Sequence, residues 1–300
     1  MASLRSVIFK KIMNRAILRT VGTSIEEKRR TMDRASLMWT RVPKNCMVEK
    51  VYIEGIEAEW LTNKLVSEDK VLLYFHGGAY TYGSTDSHRA LAGKIGKAAG
   101  VRVLLPEYRL APENPYPAAI EDAVKIYKWL LEQGFESSNI FVAGDSAGGG
   151  LSLVLALVLK EEGIGCPASI ICLSPWVDLT SSGGSYTKKV REDPLFTPDG
   201  IKKAARVYAG NEPLTSPFIS PVYADLTGLP PLFIQVGSEE LLLSDAEMLA
   251  AQARRYQVRV NFKVWQGMWH VWQLTGDLLP EAKQAIAEIG DFVKRGDKVK

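Results

Sequence analysis

Short runs of apolar, often β-branched residues alternate with longer stretches whose apolar positions recur every three to four residues. Residues 71–75 (VLLYF), 101–105 (VRVLL), 139–143 (NIFVA), 169–173 (SIICL), 232–236 (LFIQV) and 260–264 (VNFKV) read as buried strands bounded by Gly, Pro or Asn. Helical patterns fill most of the gaps, at 89–99, 118–133, 148–162 and 245–256. The alternation predicts an α/β fold, with a mostly parallel sheet covered by helices on both faces. Residues 51–65 add an antiparallel hairpin ahead of that core. The interval 175–231, rich in Pro, Gly and Ser, breaks the rhythm and is expected to be a lid inserted into one domain.

Residues 1–20 (MASLRSVIFKKIMNRAILRT) are basic and amphipathic, and no acid occurs before Glu26. Lys10, Lys11 and Arg15 interrupt the apolar positions, so the segment lacks the continuous run of a secretory signal or a membrane span. A transit peptide shares this composition. The simpler expectation is a surface helix that lays Leu4, Val7, Ile8, Ile12 and Leu18 on another part of the protein, since a second helical pattern follows at 24–40.

With 300 residues, 46% of them hydrophobic and 24% charged, the chain can bury a core without metals or disulfides. Lys and Arg number 37 against 34 Asp and Glu, a net +3 too balanced for a nucleic-acid footprint or a polybasic membrane surface. Cys46, Cys166 and Cys172 are odd in number and far apart, so neither a zinc site nor a disulfide framework is written here. A reducing, cytoplasmic setting is the expectation.

The sharpest chemical signal is a strand, then Gly144-Asp145-Ser146-Ala147-Gly148, then a helix. A G-x-S-x-G in that context is a nucleophile elbow: the serine takes a strained turn, and small neighbours let strand and helix approach closely. The helix N-terminus behind it offers N–H groups to an oxyanion. A phosphate cradle is excluded, because neither a G-x-x-x-x-G-K-[ST] nor a G-x-G-x-x-G can be read. The chain has three histidines. His76 opens HGGAY directly after strand VLLYF, the place of an oxyanion loop, and His88 suits a structural hydrogen-bonding role. His270, among Trp265, Trp269 and Trp272 after the last strand, is left as base, in the chain order serine, acid, histidine. The acid should come from GSEELLLSDAEML. There Ser244 and Glu247 read as a capping box with Asp245 in the first helical turn, which leaves Glu239 and Glu240 on the strand-end loop.

HGGAY at 76–80, YRLAPE at 108–113, GDSAGG at 144–149 and the late His270 closely resemble the hormone-sensitive-lipase-like esterases, a bacterial family of α/β-hydrolases. Pro117-Ala118-Ala119, SPWVDLT at 174–180, Asp193-Pro194 and GLPPLFIQVGSEELLLSD at 228–245 extend the resemblance over roughly residues 45–295. It implies the α/β-hydrolase fold with a helical cap, with segments 1–45 and 181–222 as cap and 46–180 and 223–300 as the two parts of the catalytic domain. It further implies Ser146 as nucleophile, His270 as base, Glu240 as acid where the family usually carries Asp, and the N–H groups of Gly77, Gly78 and Ala147 as oxyanion hole. Glu107, where Asp is commoner, is expected to be a structural charge near Arg109.

The expected reaction is hydrolysis of a small acyl ester through an acyl-enzyme, with no metal or organic cofactor. Lys188, Lys189, Arg191, Lys202, Lys203 and Arg206 make the lid interval too cationic for a lipase-like cover, so short- to medium-chain esters are expected. The same machinery would serve lactones, amides or an arylformamide. A non-catalytic small-molecule receptor of this fold would lack the base, which is present here as His270. Strand 260–264, if it lies at a sheet edge, could pair two subunits as a homodimer.

Overall fold

In the computed structural model, which describes residues 2–17, 24–39 and 41–295, helices α1 (Leu4–Ile17) and α2 (Ile25–Trp39) precede a hairpin of β1 (Met47–Ile53) and β2 (Ile56–Thr62). The hairpin turns on Glu54 and Gly55, both at positive φ (48° and 86°), the handedness that a two-residue hairpin loop needs. There follow β3 (Ser67–Phe75), α3 (Thr85–Ala99), β4 (Val101–Pro106), α4 (Ala118–Glu132), β5 (Ile140–Asp145), α5 (Ala147–Glu161) and β6 (Ser169–Leu173). The long interval after β6 carries the short α6 (Ser185–Lys188) and α7 (Pro198–Ala209) before β7 (Leu232–Gly237), α8 (Leu243–Arg255), β8 (Val260–Trp265) and α9 (Pro280–Arg295).

Eight strands form one sheet in the order β1-β2-β4-β3-β5-β6-β7-β8. β1 and β2 are antiparallel, as is the β2–β4 pairing, and all pairings from β4 to β8 are parallel. Side chains along β3 divide between the two faces. Val71, Leu73 and Phe75 join Ile126 and Tyr127 of α4 and Leu151 and Leu155 of α5, while Leu72 and Tyr74 join Ile95 of α3 and Ile289 of α9. Burial on both faces is why these strands read as continuous apolar runs. Because the strands are parallel, the loops following β3, β5, β6, β7 and β8 gather at one edge of the sheet, where ligands bind in open α/β folds. β8 is an edge strand.

Three local expectations change. α3 starts at Thr85, four residues early, because Ser84 accepts from Ser87 N and Ser87 Oγ accepts from Ser84 N, a reciprocal cap. No capping box forms at Ser244 and Glu247: α8 begins at Leu243 behind a Leu242 cap without a side-chain bond, and Ser244 exchanges hydrogen bonds with Ser185 instead. Leu4, Val7, Ile8 and Ile12 of α1 do not pack on the protein but face outward, and Leu18 lies outside the described residues.

Candidate active site

Ser146 joins β5 to α5 at φ 53° and ψ −120°, a sparsely populated conformation for a residue with a Cβ. The close approach behind it needs Gly148, where a Cβ would stand 2.0 Å from the carbonyl oxygen of Phe75. Ser146 N donates to Leu173 O at 2.9 Å, and its carbonyl accepts from Trp176 N at 2.9 Å, which fixes the elbow to the end of β6.

Across that edge, His270 Nδ1 donates to Glu240 Oε2 at 2.7 Å. The other carboxylate oxygen accepts from Ser174 Oγ at 2.9 Å and Gly237 N at 2.5 Å, and Ser174 Oγ in turn accepts from Val271 N at 3.1 Å. Ser174 therefore braces the Glu240 carboxylate and the backbone beside His270 together. Among the described residues no hydrogen bond links Ser146 Oγ to His270, a contact that commonly tightens only with substrate in place. Glu239 points elsewhere and pairs with Lys10 of α1.

The loop after β3 meets the elbow through a buried network. Asp145 accepts from Tyr74 Oη at 2.8 Å, from Gly77 N at 3.1 Å and from His88 Nε2 at 3.2 Å. Burial pushes the Asp145 carboxyl up, but His88, Tyr74 and the charge of His270 together hold it below its ordinary value. Burial acts against a charged His88 too, yet the Asp145 carboxylate raises it overall. His76 donates from Nδ1 to Gly77 O at 2.8 Å and stacks on Tyr108 at 4.3 Å between ring centroids. Burial and the neighbouring His88 hold His76 down at about 3, so it stays a neutral ring of the loop.

One expected oxyanion donor is thereby corrected: the Gly77 N–H is spent on Asp145. Those of Gly78 and Ala147 have no acceptor among the described residues.

The family model for the α/β hydrolase fold matches residues 72–274. An acetyl-hydrolase of Streptomyces hygroscopicus is 43% identical over 278 residues, spanning 92% of this chain and 91% of its own. An esterase of Acinetobacter venetianus is 35% identical over 253 residues, spanning 83% of each chain. The crystal structure of an esterase from the bacterial hormone-sensitive lipase family superposes with a TM-score of 0.95 at 40% identity, covering 99% of both chains. The chain belongs to that family of α/β hydrolases. It is a carboxylic ester hydrolase.

Several residues of this esterase have places that its sequence did not announce. Asp193 binds the lid interval to the acid loop: Oδ1 accepts from Leu195 N at 2.7 Å and Phe196 N at 3.1 Å, and Oδ2 accepts from Leu241 N at 2.7 Å. The Phe196 ring then stands edge-on to His270 at 4.7 Å. Asp245 does lie in the first turn of α8, but it is wholly buried and accepts from Val177 N (3.1 Å), Asp178 N (2.9 Å) and Tyr186 Oη (2.9 Å). Burial pushes its carboxyl well above the usual range. Glu107 serves Thr85 N at the start of α3, at 2.7 Å, while Arg109 pairs with Asp122 and Glu121. The sequence signal for Ser174 was its place directly after an apolar strand, which is where site residues of parallel sheets fall.

Proposed function

We propose that this esterase hydrolyses short- to medium-chain acyl esters of small molecules through an acyl-enzyme on Ser146, with His270 as general base and Glu240 as its orienting acid. The 2.7 Å His270–Glu240 bond carries the reading, because it commits one imidazole nitrogen and leaves Nε2 to take a proton. His270 removes the Ser146 proton as Oγ attacks the ester carbonyl, and later gives that proton to the leaving alcohol. Water then repeats the attack, and the acyl group departs as a carboxylic acid. Gly78 and Ala147 supply oxyanion N–H groups, with Ala79, the next along the loop, in the place expected of Gly77. Each such donor is worth about 3–4 kcal/mol of barrier.

Segments 1–45 and 181–222 act as the cap over this edge, with 46–180 and 223–300 as the catalytic body. Crystals of a related esterase were soaked with p-nitrophenyl butyrate, and the Streptomyces relative is an acetyl-hydrolase; both support short acyl chains. The exposed Lys188, Arg191, Lys202, Lys203 and Arg206 of the second cap segment favour small, dispersed esters over a bulk fat phase. We offer the open edge of β8 as the pairing surface of a homodimer, to be read by light scattering.

An organophosphate should add one label per chain, on the peptide containing Ser146, and abolish turnover. A label on another serine, with normal turnover in Ser146→Ala, would refute the mechanism. A chain-length series of p-nitrophenyl esters beside a triglyceride emulsion tests the acyl range; a preference for the emulsion would reject it.

A further inference from the structure

Helix α1 is held by one face only. Ser3 and Ser6 donate to the Glu281 carboxylate of α9 at 3.1 and 3.4 Å, Phe9 stacks on Trp269 with centroids 6.1 Å apart, and Lys10 pairs with Glu239. The opposite face presents Leu4 at 76% exposure, Ile8 at 51%, Ile12 at 48% and Val7 at 44%. At the helical spacing of roughly 100° per residue these four fall on one side, together with Lys11, and Arg5 borders them. Arg5 and Lys11 are exposed, and residues 1–20 contain no acid. Exposed aliphatics are unremarkable singly, but a contiguous row with cations beside it marks a docking face.

We propose that this face of α1 docks on an anionic lipid surface, with the four aliphatics at the acyl boundary and Arg5 and Lys11 at the headgroup phosphates. Two observations favour lipid over a protein partner. The face is aliphatic, without the aromatic anchors that dominate protein interfaces, and its charges are of one sign. The near-neutral balance of the whole chain conceals this local excess of cations. Docking here is peripheral, since no helix among the described residues is long and apolar enough to cross a membrane. The held face of α1 touches Trp269 and Glu239, the sequence neighbours of His270 and Glu240. Lipid contact therefore brings those loops within about one helix diameter, ~10 Å, of the surface.

Co-sedimentation of the full chain with phosphatidylcholine vesicles, with and without phosphatidylglycerol, tests the proposal at low and high salt. Binding is expected only with phosphatidylglycerol, weakened by salt, and reduced about fivefold by Arg5→Gln or Lys11→Gln. Ile8→Glu combined with Ile12→Glu should abolish it while the far-ultraviolet circular dichroism spectrum and Tm stay at wild-type values, which shows an intact fold. Three results would overturn the proposal: no binding to either vesicle, unchanged binding by the double variant, or self-association in solution that the double variant dissolves. The last would make the face a subunit interface.

Discussion

Beside Ser146, one buried carboxylate holds together the β5–α5 turn, the loop after β3 and α3, through Gly77 N and His88. Asp145 has a depressed pKa, so its contribution to stability exists above its ordinary value of 3.8 and is lost as pH falls through the depressed one. His88 is raised, so its contribution is complete below its ordinary 6.5 and is lost as pH rises through the raised value. The pair therefore contributes fully between those two values. His88→Asn leaves a buried charge without its partner, at a cost of about 3 kcal/mol. Its deficit in Tm against wild type should be largest in that window and narrow in the alkaline range; an equal deficit at both would show that the ion pair is not what the variant removes. The acid is tested separately. Glu240→Gln should cost kcat roughly 10⁴-fold, as loss of the orienting acid does in the serine-protease template. Asp245→Asn should cost about 1–3 kcal/mol of stability through its three donors, with kcat near wild type. A folded Asp245 variant without activity, beside an active Glu240→Gln, would move the acid.

Between elements, Asp193 ties the interval after β6 to the loop carrying Glu240, since one carboxylate receives the amides of Leu195, Phe196 and Leu241. Asp193→Asn puts an N–H where one of those amides needs an acceptor, and hydrogen bonds to charged groups are worth about 1.5–3 kcal/mol. Phe196 should then lose its fixed place against His270. The expected result is a fall in kcat with little change in KM, and faster amide exchange at residues 195, 196 and 241. A change in KM alone would assign Asp193 to substrate binding. The strands β3 to β7 were legible because burial on both faces writes nearly continuous apolar runs, β8 because its apolar residues alternate along a half-buried edge, and the elbow because a Cβ at Gly144 would meet Gly148 within one five-residue motif. What was not legible depends on distant partners. Ser244 forms no capping box because it meets Ser185, 59 residues away. Gly77 is diverted by Asp145, 68 residues away. The period of α1 revealed a helix, but a helix with apolar residues on two faces does not say which is docked, and Phe9 rather than the aliphatic row was the one held.

For the molecule as a whole, the sheet fixes the edge where chemistry gathers, and the N-terminal segment straddles that edge. α1 is tied to α9 and to the loop carrying Glu240, on the β7–β8 side. On the other side α2 reaches the segment after HGGAY: Arg29 Nε donates to Thr81 O at 2.8 Å, Nη2 to Ala111 O at 3.1 Å, and the guanidinium forks onto the Glu113 carboxylate at 2.8 and 2.9 Å. Half of the Glu113 side chain is exposed, so the ion pair should add no more than about 1 kcal/mol to global stability. The clamp matters locally instead, because it joins α2 to the carbonyls of Thr81 and Ala111. Arg29→Met should therefore leave Tm nearly unchanged, quicken amide exchange through α2, and raise KM for p-nitrophenyl butyrate with kcat held. That combination separates a cap from a strut: a strut would lower Tm and leave KM alone. If exchange in α2 and KM both stay at wild-type values, segment 1–45 does not form part of the cover over the site, and the cap reduces to residues 181–222.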